Sequence, residues 1–442
     1  MDSHVEISAR KIFGLAFPAL GVLAAMPLYL LLDTAVVGRL GTEQLAALGA
    51  ASVVQSVVTT QLTFLSYGTT ARSARHFGAG NRREAVAEGV QATWVALGIG
   101  SVLMILMWLF AGTIARALTG SAEVGALAAS WLRIAAPAIP IALIEMAGNG
   151  WMRGVQDTRK PLYFTLAGLI PGGIAIPIFV RWWGLEGSAI ATVMGMAIIA
   201  ALFVFELIRE HEGSWAADFG VIRKQLVLGR DLIVRSLAFQ VAMISATAVV
   251  GRFGAPSLAA HQVMTQLWNF LSLVLDSLAI AAQTLIGAAL GAGSAQHAYK
   301  AGVKILKYST GFAVVLAAVF ALGSRVIPSF FTSSSEVLAA MSAPWWVMVV
   351  MVIAGGVVFA LDGVLLGAGD AAFLRTLTIV SVVAGYLPGV WIAFVADLGL
   401  TGVWCGLLAF ILLRTAGVVY RFKSMKWAQS TPDSPRREKG RA

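Results

Sequence analysis

Thr34-Ala-Val-Val-Gly-Arg39 and Thr247-Ala-Val-Val-Gly-Arg252 are the same six letters, 213 residues apart in a chain of 442. The offset holds well beyond the hexapeptide. Gly78-Ala-Gly80 falls on Gly291-Ala-Gly293, and Gly150…Gly154…Asp157 falls on Gly363…Gly367…Asp370. Gly184-Leu185…Gly187 reappears as Gly399-Leu400…Gly402, two residues further on. A register kept over so many positions marks an internal duplication, and each copy is one structural unit. Gly150/Gly154 and Gly363/Gly367 also have the spacing that lets membrane helices approach closely.

Composition says what each copy is made of. Hydrophobic residues make up 58% of the chain and charged residues 12%, against about 45–50% and about 25% in soluble domains. Apolar runs such as Ile12–Leu32, Val95–Phe110 and Val347–Leu361 approach the roughly 20 residues that carry a helix across a bilayer. The runs are continuous and do not alternate, which favours helices over a barrel. Twelve spans are expected, at 12–38, 48–71, 90–112, 128–150, 162–182, 188–208, 230–252, 260–290, 304–326, 343–366, 374–396 and 402–420. The copies hold six spans each, an even number, so they share one orientation and are parallel repeats about an axis along the membrane normal. The expected organisation is an N-lobe over 1–209, a cytoplasmic linker at 210–229, a C-lobe over 230–425, and a disordered basic cytoplasmic tail at 426–442. Two such lobes facing each other enclose a central cavity, and opening it to alternate sides is alternating access.

The net charge of +10 suggests nucleic acid until its placement is considered. With these spans, Arg39, Arg116, Arg133, Arg181, Arg252 and Arg325 lie on one side, and the rest of the 32 Lys and Arg collect on the other. That asymmetry puts both termini in the cytoplasm of a bacterial plasma membrane and makes the basic excess topogenic. The bilayer is the expected partner, and nucleic acid is not. Trp131, Trp182, Trp183, Trp345, Trp346 and Trp404 fall near span ends, as an interfacial belt requires. One cysteine, Cys405, leaves no disulfide or cysteine metal site within the chain.

Several stretches resemble the multidrug and toxic compound extrusion (MATE) transporters. Pro18…Asp33-Thr-Ala-Val-Val-Gly-Arg-Leu-Gly41 looks like that family's first helix, and Gly148-Asn-Gly-Trp-Met-Arg-Gly-Val-Gln-Asp-Thr-Arg-Lys-Pro161 like the stretch after its fourth. Gly254…Leu258-Ala-Ala-His-Gln262 is similar to the start of its eighth helix. Arg235-Ser-Leu-Ala-Phe-Gln240 and Asp276…Ala281-Ala-Gln283 resemble the bacterial branch named for DNA-damage-inducible protein F (DinF). The resemblance covers residues 10–425 or so. It implies an all-α membrane protein with a V-shaped cavity between the lobes, exporting amphipathic, often cationic, small molecules against a proton gradient or, less commonly, a sodium gradient. It also implies that an aspartate in the first helix couples the two, and that Pro18 is a hinge of that helix. A monomer is expected, with no cofactor, no metal and no enzymatic activity.

Asp33 matches that aspartate, and its chemistry stands without the family. It follows the run Leu28–Leu32 and lies six residues before Arg39, roughly 9 Å inside the membrane. An ionised carboxylate there costs about 2.5–3.5 kcal/mol, so it is more cheaply carried with a proton. A group that takes a proton in one state and releases it in another is what antiport needs. Its counterpart in the second copy is Ala246, so the duplicated scaffold does not require the acid. Glu145, eight residues before Arg153 and about 12 Å from the inner boundary, is a second candidate for proton coupling. Gln55, Thr59 and Thr192 lie at a suitable depth for a network around Asp33. Asn149 and its counterpart Asp362 sit near the inner ends of their spans and are candidates for gating or substrate contact. Asp276, with Gln240 and Gln283, is the polar group expected to line the cavity in the second copy.

The sequence also departs from the family. Several coupled relatives carry an Asn and an Asp in the fifth helix, where this chain has Leu169-Ile-Pro-Gly-Gly-Ile-Ala-Ile-Pro177. Pro27, Pro171 and Pro177 join Pro18 as prolines inside spans, each a place where a helix can bend. The five histidines are scattered, which disfavours a membrane enzyme, and no Gly-x-x-x-x-Gly-Lys-[Ser/Thr] loop supports a primary pump. The alternatives are a lipid or lipid-linked-oligosaccharide flippase of the same superfamily, or an exporter of a single metabolite.

Overall fold

The computed structural model describes residues 8–429. Apart from a 3-10 turn at Pro328–Phe330 and a π-helical turn at Val382–Tyr386, its regular structure is α-helical. The first copy holds α1 (Ala9–Val37), α2 (Thr42–Leu62), α3 (Phe64–Gly78), α4 (Arg82–Thr119), α5 (Ala122–Ala135), α6 (Ala138–Gly154), α7 (Arg159–Trp183) and α8 (Leu185–Glu210). The second holds α9 (Phe219–Gly251), α10 (Ala255–Gly291), α11 (Ala295–Leu322), α12 (Ser335–Gly367), α13 (Ala371–Ser381), α14 (Leu387–Val395), α15 (Gly399–Lys423) and the turn α16 (Lys426–Gln429). Taking α2 with α3, and α13 with α14, as single spans, 11 helices among the described residues are long and apolar enough to cross a membrane. Counting the bent pair α5 and α6 as one more gives twelve. The chain is a multi-pass, all-helical membrane protein.

The fourth span is the one that breaks. Sequence suggests an unbroken helix over 128–150, but α5 and α6 meet at an angle of 45°. Pro137 lies in the gap, and Pro140 follows in the first turn of α6. Neither has an N–H to donate, and each disfavours helical backbone in the residue before it. By contrast, α1 continues through Pro18 and Pro27, and α7 through Pro171 and Pro177.

The helices form two compact units, Phe17–Gly229 and a second one made of Arg230 onward together with the residues before Phe17. Both changes of unit fall inside a helix, α1 and α9, at positions that the 213-residue offset superposes. Within each unit the repeated glycines do packing work. A Cβ on Gly150 would meet Ser66 O of α3, and one on Gly363 would meet Ala279 O of α10. Ser66 and Ala279 are themselves 213 apart, so the duplication repeats a backbone contact as well as a sequence.

Three expectations need correction. Residues 210–229 are not a separate linker. The Gln91 side chain donates to Ala216 O (3.0 Å) and accepts from the Asp218 N–H (2.8 Å), while Gln225 donates to Glu88, so the segment is fastened to the first unit. The expected tail from 426 starts too early, because Trp427 is buried, donates to Phe422 O at 2.9 Å and stacks on the Phe422 ring. Residues 430–442 of that tail lie outside the described residues. Half of the supposed tryptophan belt is interior: Trp131, Trp345 and Trp404 are buried, whereas Trp182, Trp183 and Trp346 are exposed. A tryptophan buried inside a protein needs a partner for its N–H, and all three have one: Ser188, Phe320 O and His261.

Candidate functional site: a buried acid in the first unit

Asp33 is 1% exposed and lies about one turn before the end of α1. What approaches it is set by how α8 begins. Gly184 closes α7 with a φ of 58°, a backbone conformation that glycine adopts freely. Three residues later, a Cβ on Gly187 would run into the carbonyl of Phe179. With those two glycines α8 turns tightly back along α7, and Ser188 falls in its first turn.

The Ser188 hydroxyl donates to Asp33 Oδ2 at 2.8 Å. The same Ser188 oxygen lies 3.2 Å from Trp131 Nε1 of α5, which donates to it. One turn along both helices, Tyr29 donates to Thr192 Oγ1 at 3.3 Å, and Thr192 donates to Ser188 O. Tyr29/Asp33 on α1 and Ser188/Thr192 on α8 therefore form two rungs between antiparallel helices, each pair four residues apart and on one helix face. Asp33 Oδ1 is buried and has no hydrogen-bond partner among the described residues. A buried carboxylate oxygen without a protein partner is uncommon and calls for an explanation. One oxygen is held by a hydroxyl, and the other is open to a proton.

Of the residues expected around Asp33, the structure brings in Thr192, through Tyr29 and Ser188. Gln55 and Thr59 do not join. The Thr59 hydroxyl donates to Gln55 O one turn back at 2.7 Å, the usual self-satisfaction of a threonine in a membrane helix. Glu145 is also outside the network. Its Oε1 is buried without a partner, and Asn149 Nδ2 donates to the Glu145 backbone carbonyl at 3.0 Å. Sequence does not mark Ser188 or Tyr29 as partners here, and it puts Trp131 in an interfacial belt. The four-residue spacing of Tyr29/Asp33 and Ser188/Thr192 was the available signal.

The second unit is organised differently. Ala246, the counterpart of Asp33, is fully buried among apolar side chains. Beside it, Trp404 Nε1 lies 3.2 Å from His261 Nδ1, and His261 Nε2 lies 3.2 Å from Thr247 Oγ1. An indole nitrogen can only donate, so Nδ1 accepts and Nε2 carries the proton. Nε2 then donates to Thr247, whose hydroxyl donates to Met243 O at 3.0 Å, and the chain is closed. Asp362 is held in an ion triad with Arg235 and Arg414. Gln283 is buried on α10, Asp276 is half-buried on the same helix, and Gln240 is half-buried on α9.

A MatE family profile matches residues 18–178 and 232–391, one match in each copy. Protein DETOXIFICATION 44, chloroplastic, of Arabidopsis thaliana is 29% identical, covering 98% of this chain and 87% of its own length. DNA damage-inducible protein F of Escherichia coli K12 is 26% identical over 92% of this chain and 90% of its own. A solved outward-facing multidrug resistance MATE family transporter superposes with a TM-score of 0.84 at 22% identity, over 94% of this chain and 96% of its own. The duplicated helices, the paired family matches and the shared fold agree: this chain belongs to the MatE family of membrane transporters.

Proposed function

We propose that the chain is a secondary active exporter that exchanges protons for small amphipathic or cationic molecules, with Asp33 as the coupling group. The observation that carries this is the pair of unlike oxygens on one buried carboxylate: Oδ2 held by Ser188 and Oδ1 without a partner. With Asp33 ionised, the Ser188 hydroxyl supplies its one donor, and Trp131 keeps that hydroxyl pointed by donating into it. Proton uptake removes the charge that this donor stabilises. The Asp33–Ser188 rung between α1 and α8 then weakens, which ties protonation to helix position. Pro18, beside the point in α1 where the compact unit changes, supplies the bend, because it leaves one backbone hydrogen bond unmade. Glu145, buried with a free oxygen, is a secondary proton carrier in this scheme. The charge asymmetry of the loops supports cytoplasmic termini, with protons entering from the opposite side in this scheme.

The test is transport in vesicles with an imposed proton gradient, using ethidium as a cationic probe. The native chain should move the dye against its gradient, and Asp33→Asn should not. Equal gradient-driven movement by the two proteins would refute the assignment.

A further inference from the structure

The ion triad of the second unit carries more positive than negative charge. Arg235 Nη2 and Arg414 Nη2 both donate to the same atom, Asp362 Oδ2, at 2.5 Å each. Two guanidiniums thus face one carboxylate, leaving one positive charge uncompensated. Arg414 lies on α15, nine residues before Lys423, or about 13 Å along the helix, and its side chain is 9% exposed. Each arginine commits a single nitrogen to Asp362. Arg414 Nε is buried with no partner, and so is Asp362 Oδ1. A guanidinium presents its donors as a planar fork that matches the two oxygens of a carboxylate. Arg235, with a side chain 20% exposed, leaves the triad open on one side.

A buried arginine is costly unless paired, and here one carboxylate serves two. We infer that Arg235 and Arg414 form a binding site for a small monovalent anion, either the carboxylate group of an organic acid or a halide. The anion accepts from the nitrogens that Asp362 leaves unused and neutralises the surplus charge. Asp362 holds the two forks in place and competes weakly with the incoming anion. The inference does not depend on Asp33 or on proton coupling.

Thermal unfolding of the purified full-length chain in detergent tests it. Sodium benzoate and sodium chloride are titrated separately, at ionic strength held constant with a bulky sulfonate buffer. The native chain should show a saturable rise in unfolding temperature with at least one of them, since a ligand that binds the folded state stabilises it by mass action. A rise with benzoate alone assigns a carboxylate group, and a rise with chloride alone assigns a halide. Arg235→Gln, which alters the more accessible partner, should lose the rise. Asp362→Asn should bind the same anion about tenfold more tightly, with the competing charge removed. If neither anion raises the native unfolding temperature, or if the rise survives unchanged in a folded Arg235→Gln, the site does not exist. The native titration decides even where a variant fails to fold.

Discussion

Residues 33 and 246 occupy the same place in two copies of one helix, and one is an acid while the other is a methyl group. Around Asp33 the first unit builds a network that ends in an open carboxylate oxygen: Trp131 to Ser188, Ser188 to Asp33 Oδ2, and no partner for Oδ1. Around Ala246 the second unit builds a network with no open end, from Trp404 through His261 and Thr247 to a backbone carbonyl. Both use a buried tryptophan as the fixed donor. A closed chain has one proton arrangement and is a structural strut, whereas an open one can change its protonation. Duplication supplied two equivalent frames, and the polar chemistry placed in them has diverged.

The contrast can be broken most severely at its open end. Asp33→Asn is expected to reduce proton-driven dye transport to the level of protein-free vesicles while leaving the unfolding temperature near that of the native chain. The next largest effect is on stability, in the other unit. Asp362→Ala should cost about 3–5 kcal/mol, because removing the one carboxylate strands two guanidiniums, and a lower unfolding temperature measures it. Ser188→Ala removes a donor to a charged acceptor, a bond worth about 1.5–3 kcal/mol. It should slow transport about tenfold, and its cost in unfolding temperature should shrink in the Asp33→Asn background, as a double-mutant cycle shows for groups acting together. The smallest effect belongs to the closed chain. Trp404→Phe should lower stability by about 1 kcal/mol and leave proton-driven transport unchanged.

The spans and the duplication were legible because both are periodic: apolar runs of fixed length, and letters repeated at a fixed offset. Asp33 was legible because a carboxylate inside an apolar run is expensive and therefore seldom accidental. Its partner Ser188 was not, since one serine at the start of a helix looks like any other until Gly184 and Gly187 bring that turn against α1. The prolines show the same limit. Pro18 and Pro137 are alike as letters, yet α1 passes through one and the fourth span breaks at the other, where Pro140 follows three residues on. Asp362 appeared to be a lone acid near a span end. Its two arginines are 127 and 52 residues away, a pairing that only the packing of α9, α12 and α15 reveals. The buried tryptophans escaped for the same reason, because span-end position does not distinguish a side chain facing lipid from one facing a hydroxyl.

The central claim is that proton chemistry resides in the first unit alone. The most direct test is proton movement recorded with a pH indicator inside vesicles while ethidium runs down an imposed gradient, with no other driving force, for the native chain, His261→Gln and Asp33→Asn. The native chain and His261→Gln should both move protons opposite to the dye, and Asp33→Asn should move none. Proton counterflow persisting in Asp33→Asn, or lost in a folded His261→Gln, would contradict the claim.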